Sequence, residues 1–399
     1  MATSCSPRSG ADRCPGLLAP FVASDGAMVR LRIPGGRIDV GLLAEVSTLA
    51  RRFGETDITL TSRGSLQLRG LSDPLPDELI TAIGDLGLVP SGTHDKARNI
   101  IADPAAGLDD LVGALDDGLL ADPGLARLPG RFLLAVGRPG GPVLGEPWDI
   151  AIIDGTSAEV RRRSLEAAAT VVVDDRSVVV ARKDAAQTAL DIARRFLASQ
   201  SDATTWNVRD LPAGARTDLL PEGAPFAVEP SEPPVPGPDG EDLVALVPLG
   251  LLTADMAEAL TTSRGSSQGS SRLDERGDVQ GSSRLDERVV VTPWRSIVVP
   301  GGAADADRLA DAGFITTPDS PWTMLTACAG APACARTTTP TRDLARAAAS
   351  LIDPTGPPVH VIGCERSCGH PALAHTIALN PSTAADIVAA QHISPHEKA

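Results

Sequence analysis

A pattern that returns 231 positions later most constrains this chain: Thr61, Ser65, Leu66 and Leu68 recur as Thr292, Ser296, Ile297 and Val299. The elements around the two copies follow the same order. Apolar alternation over 28–33, a helical pattern over 41–53, short strands at 58–60 and 65–69 and a helix over 76–86 read as β-α-β-β-α. The second copy offers a strand over 242–249, a helix over 253–261, strands at 289–292 and 296–299 and a helix over 303–312. An internal duplication of this kind predicts two pseudo-symmetric half-domains of one topology, placed side by side.

The stretch between the copies reads as a separate α/β unit. It has apolar runs at 132–136 and 150–153, a hairpin from 170–173 and 177–181 turned at 174–176, and an amphipathic helix over 185–198. Five prolines within 229–239 predict a stiff extended linker and a domain boundary. The nonapeptide QGSSRLDER stands twice, at 268–276 and 280–288, and its polar, apolar-poor composition predicts a disordered surface insertion rather than a docking loop. The expected organisation is a tail 1–19, a first half-domain 20–90, an α/β domain 91–200, a proline-rich linker 201–240, a second half-domain 241–318 with an insertion 262–288, and a final domain 319–399.

Composition narrows the function classes. At 42% hydrophobic and 22% charged, 399 residues suffice for several compact units. A formal charge of −15 opposes nonspecific attraction to nucleic acid or an anionic membrane, so an anionic ligand would need a local basic pocket. Aromatics at 3% with no Tyr disfavour base stacking on single strands. Apolar runs stop far short of the roughly 18 residues a membrane helix needs, and no apolar stretch follows the first arginines as a secretory leader would. A cytoplasmic, monomeric protein is expected.

Cysteine is clustered, not scattered. Of six, four fall between Cys328 and Cys368, as C-x5-C (Cys328, Cys334) and C-x3-C (Cys364, Cys368) with 29 residues between the pairs. Two paired loops joined by a helix over 341–352 would bring four thiolates to one [4Fe–4S] cluster. Structural zinc is the competing reading, but its pairs usually hold two to four intervening residues. Cys14 reads as a small buried thiol, and Cys5 has no expected role.

The cysteine spacing, TSRGSLQLRG at 61–70 and ARNIIADPAAG at 97–107 together resemble the sulfite and nitrite reductase superfamily of siroheme and [4Fe–4S] proteins. Within it, RCPG at 13–16, DGAMVRLRIPGG at 25–36, TPWR at 292–295 and GCERSCGHP at 363–371 resemble the precorrin-3B synthase family of aerobic cobalamin synthesis. The resemblance implies an α+β fold with two ferredoxin-like halves and two reductase-type α/β domains, the C-terminal one holding the cluster through Cys328, Cys334, Cys364 and Cys368. It also implies a monooxygenase that uses dioxygen to hydroxylate precorrin-3A with lactone formation, with non-heme iron in place of siroheme. A siroheme-dependent sulfite or nitrite reductase is the alternative, and a non-catalytic electron-transfer module a third.

Reductases of the superfamily bind a small anion with two arginines and two lysines. Arg63 and Arg98 match the arginines and Arg131 the first lysine, whereas Leu133 stands at the second. Loss of a cation there favours a bulkier, partly apolar tetrapyrrole over a small oxyanion. Arg63, Arg69, Arg98, Arg131 and Arg295 are the candidates for substrate carboxylates, which the planar guanidinium suits; each could instead be a solvated or salt-bridged scaffold residue. Trp294 aligns with Arg63 in the repeat. His370, flanked by His360 and His375, is the candidate catalytic iron ligand. The glycine-rich stretch 137–145 lacks the spacing G-x-G-x-x-G, so an external NADH-linked donor, a flavoprotein or ferredoxin, is expected to supply electrons.

Overall fold

The computed structural model describes residues 12–155, 168–262 and 288–392. The repeated QGSSRLDER stretch lies, apart from its final Arg288, outside them.

The two copies of the repeat form two five-stranded antiparallel sheets, and each copy lends a strand to the other. The first sheet runs Phe21–Ala23, Gly26–Leu31, Leu66–Leu71, Ile58–Leu60, and then Leu251–Leu252 from the second copy. The second runs Gly237–Asp239, Asp242–Leu246, Ser296–Val299, Arg288–Val291, and then Arg37–Asp39 from the first. The two halves thus stand side by side, as expected, and in addition exchange a strand. The cause is local: Gly35 and Gly36, and their counterparts Leu249 and Gly250, take positive φ (64° and 72°, 55° and 71°), which turns the chain out of its own sheet. Gly36 has a second reason to be glycine, since a Cβ there would strike the carbonyl of Val291.

Exchange fuses the halves into one core. Leu31, Leu43, Val46, Leu66 and Leu68 share it with Leu252, Met256, Val289, Ile297 and Phe314. The helix Val40–Phe53 begins where Asp39 accepts hydrogen bonds from the amides of Gly41 and Leu42 (2.8 and 3.3 Å). It buries Leu43, Val46, Ser47 and Ala50 and carries Arg51 and Arg52 in its last turn, where cations suit the helix dipole. It packs against its counterpart Ala254–Thr262.

The intervening unit is a six-stranded mixed sheet, in order Ala224–Pro225, Arg176–Ala181, Ala168–Val173, Ile150–Asp154, Leu134–Gly137 and Ile100–Ala102. The expected hairpin is present, with Asp174 at φ 52° in its turn. Helices Asp109–Leu120 and Ala185–Ser199 cover one face. The proline-rich stretch is not a free spacer. Phe226 and Val228 pack with Trp148 on the opposite face, the Ser231 amide donates to the Gly140 carbonyl (2.8 Å), and Gly237–Asp239 is already an edge strand. Prolines lack the donor that inner strands need, so the segment lies over the sheet.

The last unit is a parallel sheet of Leu325–Ala327, Val359–Ile362 and Thr376–Leu379. Parallel pairing demands a crossover, and the helix Thr341–Ala348 supplies it, packing through Ala345 and Ala348 against Ile387 and Ala390 of the helix Ala384–Gln391.

Candidate functional site

The repeated turns lie where the fused halves meet the other two units. In each, a threonine amide bonds the carbonyl of the serine four residues on (Thr61 to Ser65, 3.0 Å; Thr292 to Ser296, 2.9 Å), and the residue before the serine has positive φ (Gly64 58°, Arg295 60°). Arg63 and Trp294 thus hold equivalent positions, and both reach the intervening unit. Arg63 Nη1 donates to the Gly130 carbonyl (3.2 Å), and Trp294 Nε1 donates to Glu146 Oε1 (2.8 Å). Arg295 turns the other way, its Nη2 donating to the Gly369 carbonyl (2.6 Å) beside Cys368. A side chain at Gly250 would stand 2.8 Å from Arg295 Cδ, so that glycine leaves the arginine its path.

Guanidinium groups converge on the Arg63 side. Arg30 Nη1 lies 3.9 Å from Cys14 Sγ, and Arg131 lies over the Trp206 ring (5.0 Å) and 3.9 Å from Asp12. Beneath them Arg32, 1% exposed, donates to Asn99 (2.9 Å) and the Pro15 carbonyl (3.2 Å) and sits 3.6 Å from Asp95. Burial first, then repulsion from Arg30, pulls the Arg32 guanidinium down to about 10; Arg63 is pulled to about 10 by burial, with Arg30 and Arg131 adding to it against the opposite effect of Cys14. In a chain of charge −15 this is a local concentration of positive charge of the kind an anionic ligand would need.

Two of the expected substrate arginines are scaffold instead. Arg98, 7% exposed, makes a fork with Asp116 (2.8 and 2.7 Å) and donates to the Leu88 carbonyl (3.0 Å). Arg69, 5% exposed, makes the same fork with Asp25 (2.9 and 3.1 Å) and donates to the carbonyl of Ala333 (3.0 Å), next to Cys334. It staples a cysteine loop to the first sheet. Both forks use the planar donor set that would have held a carboxylate ligand. Leu133 also departs from expectation: its side chain is buried with Ile101, Ala135 and Val143, not at a ligand surface.

The four cysteines meet at the C-terminal edge of the parallel sheet, where ligand crevices of such sheets open. Cys328 directly follows one strand, and its amide donates to the Val361 carbonyl (3.0 Å); Cys364 follows the next strand by one residue. Thr341, at the start of the crossover helix, donates to the Cys328 carbonyl (2.8 Å), with its Oγ1 3.6 Å from Cys328 Sγ. Side chains at Gly330 and Gly363 would collide with Thr341 and with Thr337. Burial pushes the Cys368 thiol up, and Cys328, Cys364 and Cys334 all push it further, so the four sulfurs feel one another. Among the described residues no three His, Cys, Asp or Glu are gathered tightly enough to grip a single metal ion. Four thiols gathered from two loops are the donor set that a [4Fe–4S] cluster would use.

His370 is exposed, its Nδ1 paired with the Pro371 carbonyl (3.0 Å) and its ring stacked 6.1 Å from His375. Among the described residues no group of three metal donors includes it. His360 is fully buried between Thr326 Oγ1 (2.8 Å) and the Cys368 carbonyl (3.2 Å), and burial, ahead of Arg295 and His375, drops its imidazole to about 3. It is a neutral brace for the second cysteine loop.

The sequence reading missed Glu146. Burial lifts this carboxyl to about 7, although the Trp294 donor and the Arg63 charge both pull the other way. Its signal is faint: a carboxylate directly after the glycine-rich stretch 137–145, which lacks the spacing of a nucleotide-binding motif.

Residues 22–83 match the family model of the nitrite/sulfite reductase ferredoxin-like half domain. Over 86% of this chain and 69% of that one, the structure superposes on the NirA protein of Mycobacterium tuberculosis with a TM-score of 0.57 at 17% identity. The chain has the nitrite and sulfite reductase fold. The second ferredoxin-like half and both reductase-type α/β units belong to that fold, as the motif resemblance implied. A precorrin-3B synthase of Sinorhizobium sp is 37% identical over 107 residues, 27% of this chain and 22% of that protein. A ferredoxin–nitrite reductase of Synechococcus elongatus is 36% identical over 124 residues, 27% of this chain and 24% of that protein. The alignments thus span about a quarter of these curated relatives. No helix among the described residues is long and apolar enough to cross a membrane.

Proposed function

We propose that the protein is an oxidoreductase of the precorrin-3B synthase type, hydroxylating precorrin-3A with dioxygen and closing a lactone. The observation that carries this reading is the arginine group about the 61–65 turn. Arg63 is held by Gly130, Arg30 stands against Cys14, and Arg131 is braced on Trp206. Three guanidinium forks suit several peripheral carboxylates on one macrocycle, each by paired N–H donors, better than they suit one small oxyanion. The identity to a precorrin-3B synthase supports the same choice.

Cys328, Cys334, Cys364 and Cys368 would hold a [4Fe–4S] cluster, which when bound accepts and passes single electrons. The chain's own residues do the rest. Arg69 and His360 fix the two cysteine loops, and Arg295 ties the Gly369 carbonyl to the repeated turn. Arg30, Arg63 and Arg131 orient the substrate. Electrons come from an external NADH-linked donor, a flavoprotein or ferredoxin.

Incubation with precorrin-3A and reductant under labelled dioxygen tests the proposal. A product heavier by one oxygen that carries the label is expected. Ammonia or sulfide from nitrite or sulfite, with the tetrapyrrole untouched, would replace this reading by the reductase, to which the stretch 36% identical to a ferredoxin–nitrite reductase would then belong. Anaerobically purified protein should be brown, with about four irons and four sulfides per chain; zinc without acid-labile sulfide would end the cluster assignment. A strong Soret band would mark a siroheme.

A further inference from the structure

We propose that Glu146 is the acid–base residue of this site, handing a proton to the oxygen being reduced at the face shared by Arg63 and Trp294. The proposal rests on the function above and deepens it. Hydroxylation of a C–H bond by dioxygen consumes two electrons and two protons: one oxygen atom enters the substrate and the other leaves as water. The external donor supplies the electrons. A group inside the site must relay the protons.

Glu146 has the placement for this. It is 9% exposed, and among the described residues it forms no ion pair of the kind that locks Asp25 or Asp116. One oxygen accepts from Trp294 Nε1 at 2.8 Å, from the position that repeats Arg63. The other oxygen is absent from the sealed, unpartnered polar atoms of the described residues, so it opens onto the accessible space that gives the residue its exposure. A purely structural carboxylate in such a place would hold both oxygens in hydrogen bonds, as Asp149 does with the amides of Leu133 (2.8 Å) and Val208 (2.7 Å) and the side chain of Asn207 (2.9 Å).

The charged and polar groups facing it are few. Arg63 acts from the first turn and Trp294 from the second, and both stabilise the carboxylate; burial opposes them and prevails, so the proton is held to about pH 7. An acid whose pKa lies near the working pH is best suited to give and regain a proton in each turnover. Asp149, three residues on, is already bound to three N–H donors and does not compete for the role.

The test uses the full chain. Infrared titration of the wild-type protein should show a carboxyl C=O band that disappears with a midpoint near pH 7, is missing in Glu146→Gln, and moves to higher pH in Trp294→Phe, which removes a donor to the carboxylate. Glutamine keeps an acceptor for Trp294, so folding should survive. With precorrin-3A, dioxygen and reductant, Glu146→Gln should lower kcat about 100-fold or more, leave KM nearly unchanged, and abolish the limb of the pH profile near 7. A variant that keeps wild-type kcat and that limb, or a wild-type protein with no such infrared band, would overturn the proposal. If the wild-type chain leaves precorrin-3A untouched, the function proposed above fails instead; the same comparison made on nitrite reduction then decides for or against Glu146.

Discussion

Removing Asp25 measures how firmly the cysteine loop is fastened to the first sheet. Arg69 and Asp25 are 6% and 8% exposed at their side chains and share two hydrogen bonds of 2.9 and 3.1 Å. Asp25→Ala strands a buried guanidinium, for which about 3–5 kcal/mol is the usual loss. Counting bonds gives a similar figure, since two charge-assisted hydrogen bonds contribute about 1.5–3 kcal/mol each. Glu55 should soften the blow. Burial, with Asp25 behind it, holds the Glu55 carboxyl above its ordinary value while Arg69 and Arg342 pull it down. Without Asp25 that repulsion is gone and the Glu55 carboxylate is left facing Arg69, so a loss near the low end, about 3 kcal/mol, is expected. Asp25→Ala with Glu55→Gln should lose more. At about 2–4 °C per kcal/mol for units of 150–250 residues, thermal scans resolve the difference. Asp25→Leu with Arg69→Met removes the charges together and should recover most of the stability. It also lacks the donor to the Ala333 carbonyl, so amides around Cys334 should exchange faster although the global midpoint returns. If the single and double variants lose the same stability, the ion pair is not the fastening, and the reasoning is refuted.

Other outcomes follow from the same geometry. Arg98→Met with Asp116→Leu should fold with near wild-type stability and turn over substrate normally, because that pair is scaffold; a large loss of substrate affinity in kinetics would return Arg98 to the binding site. Glu146 has a folded-state value of about 7 against 4.5 in the unfolded chain. The native state therefore holds an extra proton between those values, and stability falls as pH rises through that window. At pH 8 Glu146→Gln should be more stable than wild type by up to about 3 kcal/mol, with the gap closing by pH 4.5 in urea titrations. Gly36→Ala, with its φ of 72° and a Cβ driven into the Val291 carbonyl, should cost more than 3 kcal/mol or prevent soluble expression. Gly84→Ala, in the helix Asp77–Asp85 with open space around its Cβ, should instead stabilise by about 0.5–1 kcal/mol.

The sequence by itself determined the local elements and their order. Apolar alternation and helical spacing reflect which face of a segment must be buried, a property of neighbours in the chain, so the strands Ile58–Leu60 and Ser296–Val299 and the helix Ala185–Ser199 were legible almost to the residue. The 231-residue echo falls on the threonine and serine that close on one another in both turns. Cysteine spacing likewise showed which four thiols belong together. What needed the tertiary structure was every question of partner. A strand's edge does not specify which sheet it will join, and only the positive-φ turns at Gly36 and Gly250 send Arg37–Asp39 and Leu251–Leu252 across to the opposite copy. An arginine's charge is local, but its counter-ion is not. Arg98 and Arg63 look alike in sequence, yet Arg98 is neutralised by Asp116 while Arg63 faces other arginines. Glu146 became visible only when the fold carried Trp294, 148 residues away, onto it and closed off water, because desolvation is a property of the packed interior and not of the segment that carries the carboxyl.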